Sequence, residues 1–122
     1  MKFLCLGYYD EKKFDALSPA EVKALVSQCP SRDVELRATG KVLSTASLGP
    51  TSATRSIRPR NGKPVVTDGP FAETKEVIGA FFIIEAADMN EAVRLASKHP
   101  AAQLGELVGW GIEVRPIDHY LT

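Results

Sequence analysis

The sequence predicts an α+β fold of the ferredoxin-like type, in which two helices pack on one face of an antiparallel sheet. Strand and helix patterns follow one another as strand, helix, strand, hairpin, strand, helix and strand, a β-α-β order that occurs twice at low resolution. The 122 residues suffice for one modest core, and no change in composition marks a linker. We therefore expect residues 1–122 to form a single domain.

The composition narrows the classes of partner. Fifteen basic and fifteen acidic side chains cancel, so the chain lacks the field that would concentrate nucleic acid or an anionic membrane. The apolar stretch Phe3–Gly7 is too short for a signal-peptide core, and no apolar run approaches the length of a membrane span. We expect a cytoplasmic protein whose partners are small molecules or proteins.

The first third of the chain contains a strand and a helix. Residues Lys2–Tyr9 alternate apolar side chains on both faces, as in a buried strand. Ser18 and Glu21 form a capping box that begins a helix, and Pro30 should end or kink it, with residues 33–39 continuing it. The stripe predicted to face the core comprises Val22, Leu25, Val26 and Cys29.

A hairpin is predicted in the middle of the chain, after a short strand at Lys41–Leu48. Asn61 and Gly62 tolerate positive φ and favour a tight turn between strands at 53–60 and 63–67. Four cations but no acid lie around the turn, namely Arg55, Arg58, Arg60 and Lys63. They indicate either a sheet edge protected by charge against pairing with other chains or a contact with an anion or nucleic acid. Because no aromatic residues lie between them, we favour the protected edge.

The last third repeats the strand-helix-strand pattern. Val77–Glu85 is the most apolar strand and is apolar on both faces. Asp88 begins a second helix, for which we expect Ala92, Val93 and Ala96 to face inward, and Trp110–Ile117 forms the last strand.

The two-sided strands predict a homodimer. Two helices cover only one face of the sheet, which leaves Phe81 and Ile83 of the other face in water. Burial against an identical sheet removes that cost at roughly 25 cal/mol for each square ångström of apolar surface. Because two-fold pairs are the commonest closed assemblies, we expect two copies with facing sheets.

Residues around the hairpin resemble a known family. The run Asp68–Glu76, with the sequence DGPFAETKE, resembles the signature of the DGPF branch of the YCII-related proteins, and the capped helix after Asp88, His99–Ala102 and Ile112–Ile117 fit the same branch. The resemblance implies a dimeric α/β barrel with a His and an Asp facing each other in a cleft. It also implies a functional link to sigma factors of the extracytoplasmic-function type, and one member type is associated with dechlorination of an aromatic ring.

Asp68 is the leading candidate for catalysis. It follows a strand and precedes Gly69, where a carboxylate can project into a cleft as general acid or base, and it matches the acidic position of the family motif. The alternative is that Asp68 only accepts hydrogen bonds from the amides of its own turn. The family's histidine has no counterpart in the first strand or helix. We expect His99 to be a cation stabilised by a helix C-terminus and His119 to lie on the surface.

The remaining candidates would bind a ligand. They are aromatic or cationic side chains on the predicted strands and the signature, namely Tyr8, Arg58, Phe71, Trp110 and Arg115. Glu113 shares a strand face with Arg115 and can pair with it or across the dimer. Cys5 and Cys29 are expected to be reduced thiols, and no metal cluster, nucleotide fingerprint or phosphate-binding loop is present, so we expect neither metal nor cofactor.

Three functions are compatible with these residues. The first is a small-ligand-binding or regulatory domain of unknown ligand. The second is a cofactor-free lyase or hydrolase that uses Asp68 as general acid or base. The third is a structural dimerisation domain without a pocket.

Overall fold

The computed structural model describes residues 1–121 as six strands and five helices, with two 3-10 turns at Thr51–Ala53 and Glu106–Val108. The strands are β1 (Lys2–Asp10), β2 (Val42–Ser47), β3 (Arg55–Arg60), β4 (Lys63–Asp68), β5 (Glu76–Glu85) and β6 (Gly111–Pro116). The helices are α1 (Glu11–Asp15), α2 (Pro19–Val26), α3 (Cys29–Arg37), α4 (Met89–Ala96) and α5 (Pro100–Gln103).

Four strands form one antiparallel sheet in the order β2-β5-β1-β6. The connections from β1 to β2 and from β5 to β6 pass through helices and skip a neighbouring strand, which is the split β-α-β arrangement. The predicted α+β fold, a four-stranded antiparallel sheet with helices, is thus confirmed. None of the described helices has both the length and the hydropathy needed to cross a membrane.

The core lies between the sheet and α3 and α4. Its strand residues are Phe3, Cys5, Phe82 and Ile84, and its helical residues are Leu36, Ala92, Leu95 and Ala96. The other face of the sheet, which we call the outer face, presents the half-buried side chains Leu4, Leu6, Phe81 and Ile83. The alternation along β1 and β5 therefore separates a helix-covered face from an uncovered apolar face.

The helices differ in part from the sequence-based predictions. Residues Glu11–Asp15, for which no helix was predicted, form a helix that Asp10 caps. The predicted interruption near Pro30 is present, with α2 ending at Val26 and α3 beginning at Cys29. Pro30 lies in the first turn of α3, where its missing N–H costs no hydrogen bond. In α4 the side chain of Val93 is exposed and Leu95 is buried instead, because Leu95 lies three residues after Ala92 on the same helix face.

An irregularity between β1 and β5 changes which side chains share a face. Gly7 pairs with Ala80, whereas the next residue, Tyr8, pairs with Ile78, so Gly79 is left as an extra residue in β5. The predicted alternation placed Ile78 on the face of Phe82; the bulge instead pairs Ile78 with Tyr8. The bulge lies at the sheet end that forms the site described below.

The remaining two strands form a separate sheet, which we call the arm (Arg55–Asp68). β3 and β4 pair in the register that the sequence predicted, and Asn61 and Gly62 turn with φ of 52° and 76°. Ser56 is the arm's buried residue, and the other side chains of β3 and β4 are exposed.

Candidate functional site

A cleft of about 620 Å³ lies on the helix-covered face of the sheet; we call it the main cleft. Toward one end of that face Phe3 and Phe82 fill the space under the helices, whereas toward the other Gly7 and Ala80 have almost no side chain. The missing side-chain volume leaves the space open. Its apolar lining includes Phe14, Val26, Leu36, Val42, Leu48 and Trp110.

Helix α3 supplies three polar groups to the lining. Cys29, Asp33 and Arg37 recur at every fourth residue, so they lie on one face of the helix and all line the main cleft. A thiol, a carboxylate and a guanidinium are thus placed along an otherwise apolar wall. A mostly apolar pocket with a few convergent polar groups is the usual form of a small-molecule site.

His99 is the most tightly oriented polar group of the main cleft. Its ring stacks on Phe82, with ring centroids 4.7 Å apart and planes 5° apart. Its Nδ1 accepts a hydrogen bond from the backbone N–H of Ala101 at 3.0 Å, which caps α5. In the neutral imidazole the proton therefore resides on Nε2, which remains a hydrogen-bond donor.

The protonation of His99 differs from the sequence-based expectation. Burial lowers the pKa of His99, and the charge of Asp33 raises it by less. We expected a cation at a helix C-terminus, but His99 is the N-cap of α5, and its Nδ1 is already an acceptor. The expectation was wrong because Pro100 begins a new helix, whose N-terminus disfavours a cation.

Two aromatic side chains of the main cleft are seated against glycines. A Cβ at Gly79 would come within 2.7 Å of the ring of Tyr9, and a Cβ at Gly105 within 2.3 Å of the ring of Trp110. Gly105 also has a φ of +72°, which side chains rarely adopt. Any other residue at these positions would displace an aromatic wall of the cleft.

Glu11 holds Tyr9, a lining residue of the main cleft, in place. Its carboxylate accepts hydrogen bonds from the Tyr9 hydroxyl at 3.2 Å, the Thr51 backbone N–H at 3.0 Å and the Thr51 hydroxyl. The bonds from Thr51 lower the pKa of Glu11 and keep it ionised. The loop after β2 is thereby tied to the end of β1.

The two thiols are protonated. Burial raises the pKa of Cys5 to about 12, and burial together with the charge of Asp33 raises the pKa of Cys29. Cys5 is buried as predicted, whereas Cys29 is only half-buried because it borders the cleft. Within residues 1–121 no three His, Cys, Asp or Glu side chains form a group that could hold a metal ion.

The structure divides the sequence-predicted site residues into separate groups. Tyr8 and Trp110 line the main cleft. Arg58 and Phe71 contact each other at the arm, where the Arg58 guanidinium carbon lies 4.1 Å from the ring centroid. The Asp68 side chain is 94% exposed, and its Oδ1 lies 3.5 Å from Arg55 Nε.

A second cleft of about 560 Å³ lies beside Tyr8 at the end of the sheet. It is lined by Tyr8, residues 74–76, and β6 residues 111–113, including the carboxylates of Glu76 and Glu113. A hydrogen bond with Glu113 raises the pKa of Tyr8. Arg115 lies next to Leu4 in the sheet and is exposed. Within residues 1–121 it forms no ion pair with Glu113, which differs from one of the two pairings predicted for these side chains.

Sequence reasoning did not identify that His99 and Asp33 line the same cleft. The spacing of Cys29, Asp33 and Arg37 was a usable signal for one helix face, but Cys29 was assigned to the stripe of the first helix and not to the helix that contains Asp33. Nothing in the sequence indicated that the 99–101 turn faces α3, because that proximity arises only when both pack on the same sheet.

Comparison with known proteins places the chain in a family. Residues 1–117 match the model of the YCII-related domain. An uncharacterized protein of Rhizobium meliloti is 34% identical over 96 residues, which cover 79% of this chain and 77% of that protein. In fold, the chain is similar to 5-chloro-2-hydroxyhydroquinone dehydrochlorinase from Burkholderia phenoliruptrix, solved in complex with 2,5-dihydroxybenzoquinone, with a TM-score of 0.50, 15% identity, and coverage of 98% of this chain and 96% of that one. The chain belongs to the YCII-related domain family.

Proposed function

We propose that this protein binds a small, largely apolar molecule in the main cleft and that an oxygen of the ligand accepts a hydrogen bond from His99. The observation that carries the proposal is the fixed orientation of His99, whose ring is stacked on Phe82 and whose Nδ1 is occupied by Ala101. Nε2–H is then the one ring donor available to a ligand. The apolar part of the lining lowers the local dielectric constant and strengthens that bond.

The same geometry favours binding over proton transfer by His99. As a base, Nδ1 would have to give up the hydrogen bond from Ala101, and Nε2 already carries the proton of the neutral ring. Neutral imidazole is a good hydrogen-bond donor but a poor acid. A ligand-binding or regulatory role therefore fits His99 better than general acid-base catalysis, and it accommodates the functional link to a sigma factor that the family resemblance implies.

Catalysis by a cofactor-free lyase or hydrolase is the second candidate. The charge of Asp33 acts on His99 in the main cleft, as an acid-base pair requires. If Asp68 is the general acid or base of this enzyme, its exposed carboxylate must reach a bound substrate from the arm. An Asp68→Asn variant that loses turnover of a substrate while still binding it would favour this candidate.

We also propose that the protein is a homodimer in which the outer faces of two sheets meet in a dimeric α/β barrel. Leu4, Leu6, Phe81 and Ile83 form a continuous apolar surface on the two central strands. The described helices that build the core lie on the opposite face. Covering such a surface with an identical one is the simplest way to remove it from water.

The test of ligand binding is calorimetric titration with 2,5-dihydroxybenzoquinone, benzoate and catechol. We expect saturable binding of at least one probe to the parent protein. Ala80→Leu fills the floor of the main cleft and should weaken that binding about tenfold or more, equivalent to at least ~1.4 kcal/mol. Ala102→Leu, an exposed site outside the cleft, is the matched control and should bind like the parent.

Two substitutions at His99 then isolate its donor. His99→Phe retains a ring for stacking on Phe82, and His99→Asn retains a side chain that caps a helix. Both should weaken binding of the same probe. Undiminished binding to Ala80→Leu, or no saturable binding of any probe at millimolar concentration, would contradict the proposal.

A further inference from the structure

The arm is a structural feature that the proposed ligand site does not use. β3 and β4 pack chiefly on each other, and an isolated two-stranded sheet is marginally stable at best in water. Along one of its faces Ile57 pairs with Val66 and Pro59 with Pro64. Ile57 and Val66 are 59% and 56% exposed, so this apolar ladder lacks cover within the described chain.

The signature residues hold the arm in shape. The Gly69 N–H donates to the Thr54 carbonyl at 2.7 Å, and the buried Ser56 hydroxyl donates to the Gly69 carbonyl at 2.6 Å. Phe71 lies against the Arg58 guanidinium, and Asp68 pairs with Arg55. The signature therefore holds the base of the arm in a defined conformation. We ask what this exposed arm contacts.

The charges of the arm and of the remaining chain are opposite. The arm holds four of the fifteen basic residues and one acid, Asp68, for a net charge of +3. The remaining residues hold eleven basic and fourteen acidic side chains, for a net charge of −3. Arg60 and Lys63, which face each other at the tip, make no ion pair in the described structure. A second copy of the chain thus offers the arm a surface of complementary charge.

The second cleft is the part of that surface that best fits the tip. It presents two exposed carboxylates, Glu76 and Glu113, and one cation, Lys75, at the end of the sheet where the chain returns from the arm into β5. Its 560 Å³ accommodates long basic side chains. It also adjoins the outer face through Tyr8, which continues the row of Leu4 and Leu6 along β1.

We propose that each arm reaches to a second copy of this chain and places Arg60 and Lys63 in the second cleft of that copy, opposite Glu76 and Glu113. The exchange is reciprocal, as a two-fold contact requires. The inference rests on the proposed homodimer and adds to it a contact that the facing sheets alone do not include. The apolar ladder of Ile57 and Val66 is covered in the same contact.

Charge reversal tests the contact. We expect Lys63→Glu to raise the dimer dissociation constant about tenfold or more in sedimentation equilibrium at low salt. Glu113→Lys should do the same. The double variant, which exchanges the signs, should recover at least part of the lost affinity. Arg94→Glu changes the net charge equally on the exposed face of α4 and should leave the dissociation constant unchanged.

A cross-linking experiment identifies the two surfaces directly. In a Cys29→Ser background, one chain carries Lys63→Cys and another carries Glu113→Cys. When the two are mixed and mildly oxidised, we expect a covalent heterodimer. A mixture of Lys63→Cys with Arg94→Cys is the control and should not form it.

The outcomes separate this inference from the proposals on which it rests. If the protein dimerises but both charge reversals behave like Arg94→Glu, the arm contact is wrong and the facing sheets stand. If the protein is a monomer at all concentrations, both the dimer and the arm contact are wrong. Probe binding in the main cleft is measured independently of either result.

Discussion

The sheet core and the arm differ in what stabilises them. Phe82 in β5 is 1% exposed and packs among core residues from β1 and two helices, whereas Phe71 beside the arm is 63% exposed and packs on Arg58. Burial of apolar surface stabilises the first region, while turn geometry, two backbone contacts of Gly69 and a cation–π contact shape the second. The arm contributes no side chain to the hydrophobic core, and its own apolar side chains are exposed.

The comparison also explains the position of the main cleft. The helix-covered face of β1 and β5 carries large side chains at Phe3 and Phe82 but only Gly7 and Ala80 toward its other end. One sheet thus builds a packed core and an open site from the same pair of strands. His99 joins the two, because its ring stacks on the core while it lines the cleft.

The largest expected difference between the sheet core and the arm is in the stability lost when Phe82 or Phe71 is replaced by Ala. Phe82→Ala should lower the free energy of unfolding by about 3–5 kcal/mol, because it leaves a cavity and removes the ring under His99. Phe71→Ala should lower it by ~1 kcal/mol or less, the scale of an exposed cation–π contact. Urea titration of both variants measures the difference, and equal losses would show that the arm is part of the core.

A smaller effect is expected at two glycines with the same backbone conformation. Gly62 at the arm turn has a φ of +76° with open space around it, so Gly62→Ala should cost about 1–2 kcal/mol from the left-handed backbone alone. Gly105→Ala should cost more, because its Cβ would also displace Trp110. The fluorescence of Trp110, the single tryptophan, should shift in Gly105→Ala only. A shift in Gly62→Ala would mean that the arm contacts the main cleft.

The smallest expected effect is a pH dependence from His99. Burial lowers its folded-state pKa below the ordinary 6.5, so the folded state binds fewer protons than the unfolded state as the pH falls. The free energy of unfolding is therefore not reduced by His99 above about pH 6.5. It decreases as the pH falls from 6.5 toward the lowered pKa of His99. Urea titrations of the parent and His99→Asn on both sides of that range measure it. The parent should lose more stability on acidification, and parallel losses would contradict the assignment.

The sequence by itself determined the main elements and the composition of the core strands. Three kinds of local pattern each produced the expected element. They are the alternation in Lys2–Tyr9 and Val77–Glu85, the capping residues Ser18 and Asp88, and the turn at Asn61. The helix caps and the turn depend on residues at most a few positions apart, which is why they can be recognised without the fold.

Only the tertiary structure decided where the candidate site lies. Three features depend on how distant segments pack on one sheet: the bulge at Gly79, the new helix that begins at Pro100, and the presence of both His99 and Asp33 in the lining of the main cleft. The same packing left the arm outside the main cleft, although its signature was the most specific motif of the sequence. Local patterns determine the helices, strands and turns because the interactions that form them are short-range. A cleft instead forms where the long-range packing of helices on the sheet leaves space unfilled.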